Sequence, residues 1–172
     1  MSVAAEPGGH EPFEQLARSA AQRGEVAAES ATERELLVLW LDDAPYALPV
    51  ERVREIVRLR PITPVPRMPA AVCGVLSLRG EIVQVVDLRL RLGLPPSSDA
   101  SPRSRIVVLH GEDGQLTGLL VDRVSEVMRL RDEALRPPTG RDAGTVVALA
   151  PQGDRFVSVF DVERLLDLGV GA

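Results

Sequence analysis

The sequence predicts an all-β protein built as two small barrels packed together, with helix limited to single turns. Three observations lead there. About ten short apolar runs recur along the chain, each bounded by turn residues. Helix-period patterns never persist beyond a turn or two. The two halves also repeat one plan: hairpins, a loop, then a short helix behind an aspartate. A chain of 172 residues buries roughly two-thirds of the surface its unfolded form exposes. It can fold without disulfides or metal, although neither barrel alone would bury much core.

The elements follow in order. Residues 1–34 are rich in Ala, Glu, Gly and Ser and poor in large apolar side chains, so they read as a flexible tail. Within the tail, Glu14–Arg23 has the composition of a short helix. Leu36–Leu41 is a buried strand, Asp42-Asp43-Ala44-Pro45 a turn, and Tyr46–Val50 the return strand of a hairpin. Val50, Val53, Ile56 and Val57 have helical spacing in a β-branched segment, which predicts one helical turn leading into a strand. Four prolines make Arg60–Pro69 an irregular connection, because proline lacks the ladder donor. Gly74–Leu78 and Glu81–Val86 form a hairpin about Arg79-Gly80, with Gly80 supplying positive φ.

Asp87 is placed to cap a helix over Leu88–Leu92, with Gly93 after its C-cap. The run 95–104 (PPSSDASPRS) has linker composition. Ile106–Leu109 and Leu116–Val121 pair across Gly111-Glu112-Asp113-Gly114, and Val124–Leu130 is a further strand. Pro137–Gly144 is a loop. Thr145–Ala150 and Phe156–Phe160 are the last pair, and Asp161 caps a closing helix through Leu166, which Gly169 ends.

Composition excludes several classes of function. The net charge is −5, so there is no basic footprint for nucleic acid or an anionic membrane. All twenty basic residues are arginine. A single cysteine, Cys73, fits a reducing compartment and reads as a buried structural thiol. No apolar run approaches the ~20 residues of a membrane helix, and the N-terminus lacks the pattern of a signal peptide. A cytoplasmic location is expected, with no direct membrane insertion.

The search for chemistry yields little. His10 and His110 have no second ligand nearby, and Cys73 has no CxxC partner. No nucleotide-binding glycine loop is present, and a Walker lysine is impossible without Lys. Five aromatics are too few for a base-stacking platform, and Trp40 reads as core. No catalytic, cofactor or metal site is expected.

The run Gly74-Val75-Leu76-Ser77-Leu78-Arg79-Gly80-Glu81 through Val86-Asp87-Leu88-Arg89 resembles the central signature of the CheW-like domain family. That signature has a glycine, an apolar pair, Asn-Leu-Arg-Gly, and an apolar strand ending in Val-Asp-Leu-Arg. Further matches fall in family order. They are Tyr46-Ala47-Leu48 with Val53-Arg54-Glu55-Ile56, and Ile62-Thr63-Pro64-Val65-Pro66. Gly118-Leu119-Leu120-Val121-Asp122 with Val124-Ser125-Glu126-Val127, Pro137-Pro138, and Asp161–Leu166 complete the set. The resemblance covers about 35–168, and the domain it implies is expected over 35–169.

It implies two intertwined five-stranded SH3-like barrels sharing an apolar core. It also implies a non-catalytic adaptor, without cofactor, coupling chemoreceptors to a chemotaxis-type histidine kinase in bacterial signal transduction. The implied partners are the regulatory domain of that kinase and the cytoplasmic tip of methyl-accepting chemoreceptors, with recruitment to membrane-associated arrays. The residues carried over for partner binding are Val53, Glu55, Gly74, Arg79 and Val124. Arg79 can offer its fork of donors to a partner carboxylate, or pair locally with Glu81 or a nearby Asp. Gly74 allows close backbone approach or only begins a strand, and Val53 and Val124 fit core or interface.

Ser77, Gln84 and Ala148 depart from the pattern, which favours Asn, Pro and Gly there. Gln84 restores a backbone donor that proline would remove. Two alternative functions stay open at the level of sequence. One is a divergent decoy or regulator in a non-flagellar pathway. The other is a small-molecule sensor with a ligand in the cleft between the barrels.

Overall fold

A computed structural model describes residues 32–97, 101–140 and 144–169. The expected tail and its Glu14–Arg23 helix lie outside these, apart from Thr32, Glu33 and Arg34, and the last two already belong to the first strand. Ten strands run β1 (Glu33–Leu41), β2 (Ala44–Pro49), β3 (Val53–Arg58), β4 (Val72–Leu78) and β5 (Glu81–Asp87) in the first half. The second half carries β6 (Arg105–His110), β7 (Leu116–Val121), β8 (Arg123–Arg131), β9 (Val146–Gln152) and β10 (Arg155–Phe160). Helix α1 (Leu88–Arg91) follows β5 and α2 (Val162–Leu166) follows β10. The turn predicted before β3 is a 3₁₀ turn over Val50–Arg52, so Val50 leaves β2 and joins it.

The strands form two five-stranded sheets, ordered β8-β1-β2-β10-β9 and β3-β6-β7-β5-β4. Each half of the chain is divided between them. The β1–β2 hairpin completes the sheet whose other three strands come from the second half, and β6–β7 completes the sheet of β3–β5. Parallel pairings join hairpin to triplet in both: Val159 opposite Ala47, and Val85 opposite Gly118. We call the β1-containing sheet barrel I and the β3-containing sheet barrel II.

The apolar runs are continuous because both faces of these strands are buried. Successive side chains point to opposite faces. On β1, Leu36 and Val38 fill barrel I while Leu37, Leu39 and Leu41 face barrel II. On β6, Ile106 and Val108 fill barrel II while Val107 and Leu109 face barrel I. The shared layer also holds Phe160, stacked on Tyr46 with centroids 5.0 Å apart.

Matched details relate the halves. Val50–Leu59 reads VERVREIVRL and Val121–Leu130 reads VDRVSEVMRL, identical at six of ten positions. Bulges lie at Val72/Gly74 on β4 and opposite Val159/Phe160 on β9. The outer edges of β4 and β9 are each covered by a two-hydrogen-bond bridge, Thr63–Val75 and Arg136–Leu149. Asp87 and Asp161 cap the two helices as expected. Gly93, at φ 74°, closes α1 with the paired bonds Leu94 N–H to Arg89 O (2.8 Å) and Gly93 N–H to Leu90 O (3.1 Å).

Candidate partner-binding site

Four of the five sequence-indicated residues belong to barrel II. Two of them meet directly: Arg79 Nη2 donates to Glu55 Oε2 at 3.4 Å across 24 residues of chain. Sequence neighbourhood favours Glu81 as the local partner of Arg79. The structure instead gives Glu81 to Arg54, 2.6 Å away. That ion pair holds the Glu81 carboxyl below its usual range. The two pairs tie the β4–β5 hairpin tip to β3, the opposite edge of the sheet.

Arg79 leads this hairpin turn at φ 52°, followed by Gly80 at φ 80°. Residues other than glycine adopt the left-handed region at a cost of about 1–2 kcal/mol. The matching place in the β9–β10 turn is held by Gly153, at φ 61°. Arg79 therefore occupies a position better suited to glycine, with its side chain 75% exposed.

Gly74 is buried, and the close-approach reading holds. At φ 141°, a Cβ there would lie 2.1 Å from the Thr63 carbonyl oxygen. The glycine lets the proline-rich loop lie against β4, where Thr63 and Val75 exchange two bonds of 2.8 Å. In β9 the matching residue is Ala148, which is not among the positive-φ residues. Val53 and Val124 take matching places at the starts of β3 and β8, half-buried against the layer between the barrels. Val124 alone lies in barrel I.

Two expectations need correction. Trp40 is not simply core, because it is half-buried at the barrel surface. Its Nε1 donates to Ser125 Oγ at 3.0 Å, and the Arg123 guanidinium lies 4.1 Å over its ring. Cys73 is half-buried rather than fully buried, at the β4 bulge, and desolvation raises its thiol pKa. Gln84 is paired on both sides as its restored donor allows, opposite Val75 and Thr117.

No group of side chains suited to a metal occurs among the described residues. Among the described residues, the carboxylates displaced from their usual range, Glu81 and Asp122, are both displaced downward by arginine partners. Neither is the raised carboxyl of a general acid. The space between the barrels is filled by the shared apolar layer. Clefts of about 360, 370 and 180 Å³ lie elsewhere: the first between α2 and the β6–β7 turn with Gln84 and Thr117, the second between the proline-rich loop and β5, and the third around Arg89 and Asp122. The sensor reading is not favoured.

Residues 35–169 match the model of the CheW-like domain. The chain belongs to the CheW-like family. It is 36% identical to the probable chemotaxis protein CheW of Rhizobium etli, over 61% of this chain and 66% of that protein. Against the chemotaxis protein CheW of Thermotoga maritima it is 35% identical, over 81% of this chain and 92% of the relative. The crystal structure of the scaffolding protein TtCheW from Thermoanaerobacter tengcongensis superposes with a TM-score of 0.73 at 30% identity, covering 79% of this chain and 94% of that one. As a CheW-like protein, the chain is a non-catalytic adaptor of chemotaxis signalling, with the two-barrel fold the resemblance implied. No helix among the described residues is long and apolar enough to cross a membrane.

Sequence reading missed one cluster of this CheW-like chain. Arg89, on α1, is buried and bonds carboxylates from two distant places, Asp42 and Asp122. Arg89 ends the signature run, but residues 47 and 33 positions away carry no local mark of the contact.

Proposed function

We propose that the chain docks the regulatory domain of a chemotaxis histidine kinase through the Glu55–Arg79 end of barrel II. In this reading the Val124 face of barrel I meets the cytoplasmic tip of a methyl-accepting chemoreceptor. The adaptor then works in the cytoplasm and is recruited to membrane-associated receptor arrays by these contacts. One observation carries the assignment. Arg79 is kept, exposed, at a left-handed position where the matching turn has Gly153. A strained backbone that presents a charged fork is more readily explained by a partner than by stability, since an exposed ion pair such as Glu55–Arg79 contributes only about 0–1 kcal/mol.

The test is a titration of wild type and Arg79→Glu against both partners. The substitution sets a second carboxylate beside Glu55. Kinase-domain affinity is expected to fall at least tenfold, with receptor-tip affinity held within twofold. Equal affinities of the two proteins for the kinase domain would remove Arg79 from that interface.

A further inference from the structure

The chain crosses from one barrel to the other at two places in its middle elements. Between β2 and β3 the connection is the 3₁₀ turn Val50–Arg52, and between β7 and β8 it is the single residue Asp122. Each crossover is pinned by its own charged contact. At the first, Arg52 donates to Glu163 on α2 and, through Nη2, to the His110 carbonyl at 2.8 Å. At the second, the roles of the charges are reversed: Arg89 on α1 binds Asp122 and, at the tip of the β1–β2 hairpin, Asp42.

The second contact is the more buried. The Arg89 side chain is 9% exposed, with Nε 3.0 Å from Asp122 Oδ1 and Nη1 3.1 Å from Asp42 Oδ2. Nη1 also reaches the Pro95 carbonyl at 3.4 Å. The cluster continues into β8 and Trp40. The Asp42 N–H donates to Asp122 Oδ2 at 2.7 Å, and the Asp122 N–H donates to the Trp40 carbonyl at 3.2 Å. The next residues after Asp122 are Arg123, over the Trp40 ring, then Val124, then Ser125, which accepts from the Trp40 indole and donates to the Val38 carbonyl at 3.4 Å.

We infer that Arg89 is a positioning residue for the Val124 face: by holding Asp122 against the β1–β2 turn it fixes where β8 begins, and with it Arg123, Val124 and Ser125 against Trp40. This rests on the reading that the Val124 face is the receptor side. The task requires arginine. Two carboxylates and a carbonyl are met by one planar set of donors, which the compact ammonium of lysine cannot span. Because the other crossover has its own contact through Arg52, loosening Arg89 displaces one docking face and spares the other.

Trp40 is the only tryptophan, so its emission reports this face without any partner. The experiment compares full-length wild type, Arg89→Lys and Asp122→Asn at a temperature where far-UV circular dichroism shows each folded. Trp40 emission and acrylamide quenching are read first, then affinity for a receptor-tip helical hairpin and for a kinase regulatory domain. The expected result is red-shifted emission, quenching increased at least 1.5-fold, receptor-tip affinity down at least fivefold and kinase affinity within twofold. If Arg89→Lys does not fold, Asp122→Asn carries the same comparison. Unchanged emission and quenching in a folded variant overturns the inference, and so does a parallel fall of both affinities. Failure of wild type to bind the receptor tip instead overturns the functional reading, and the positioning role is then decided by Trp40 alone.

Discussion

Gly74→Ala isolates the physical reason for a glycine in the signature strand. The new Cβ would lie 2.1 Å from the Thr63 oxygen and 2.9 Å from the Pro64 Cα. Both are backbone atoms, so no side chain can swing aside. The proline-rich loop must withdraw, which breaks the two 2.8 Å bonds between Thr63 and Val75. Those bonds are worth about 1 kcal/mol each. Holding alanine at this φ adds about 1–3 kcal/mol of backbone strain. The sum, about 3–5 kcal/mol, is a large share of the ~5–15 kcal/mol of a typical domain. For a chain this long it lowers Tm by roughly 6–20 °C. Urea denaturation followed by Trp40 fluorescence measures it. The control is Ala148→Gly at the matching place in β9, expected to cost about 1–2 kcal/mol through the lost methyl and the freer unfolded chain. A Gly74→Ala unfolding free energy within about 1 kcal/mol of wild type, at unchanged m, would refute the steric argument. Gly74 is itself buried, so loss of partner binding in this variant would follow from the displaced loop and not from a lost contact.

Two further outcomes are expected. Arg79→Gly should separate stability from function. Relief of the left-handed strain roughly offsets the added entropy of glycine and the lost exposed ion pair, so stability stays within about 1 kcal/mol while kinase-domain affinity falls at least tenfold. A clear fall in stability with binding intact would reverse that assignment. Acid should loosen the Arg89 cluster. Burial alone would raise the Asp122 pKa, but hydrogen bonds from Arg89 and the Asp42 N–H outweigh it and leave it lowered. A lowered carboxyl contributes stability that is present above its unfolded pKa of about 3.9 and is lost as pH falls through the folded value. Melting curves from pH 7 to pH 3 should therefore show a flat region and then a fall below about pH 4, and Asp122→Asn should show a smaller fall.

Much of the fold was legible because it is written in local pattern. The doubly apolar runs at Leu36–Leu41 and Ile106–Leu109, the aspartate caps at Asp87 and Asp161, and the Arg79-Gly80 turn each depend on neighbours in sequence. The exchange of hairpins between barrels was not legible from pattern, since alternation says which face a side chain takes and not which strand lies beside it. Only the family resemblance implied it. The repeat VERVREIVRL and VDRVSEVMRL was present to be read, and it places Val53 with Val124 and Glu55 with Glu126. The electrostatics of the site were hidden for a related reason. Glu81 is near Arg79 in sequence, yet Glu55 and Arg79 are brought together by closure of the sheet. Arg89 meets Asp42 and Asp122 only once both barrels exist.

The exchange of hairpins also bears on how an adaptor can work. Neither barrel can open away from the other without stripping a hairpin from its sheet, since β1–β2 and β6–β7 are each held by strands from the opposite half. The crossovers are one and three residues long, too short to act as free linkers, and each is tied by an arginine–carboxylate contact. The layer between the barrels is filled by side chains such as Leu39, Leu109, Leu119 and Phe160, all buried. Close-packed interiors of this kind shift between discrete arrangements more readily than they bend. The two faces are thus held at a fixed spacing and angle. A fixed spacer passes on a signal by constraining where its partners stand, and in the docking proposed above that requires only that the Arg79 end and the Val124 face keep their positions relative to each other.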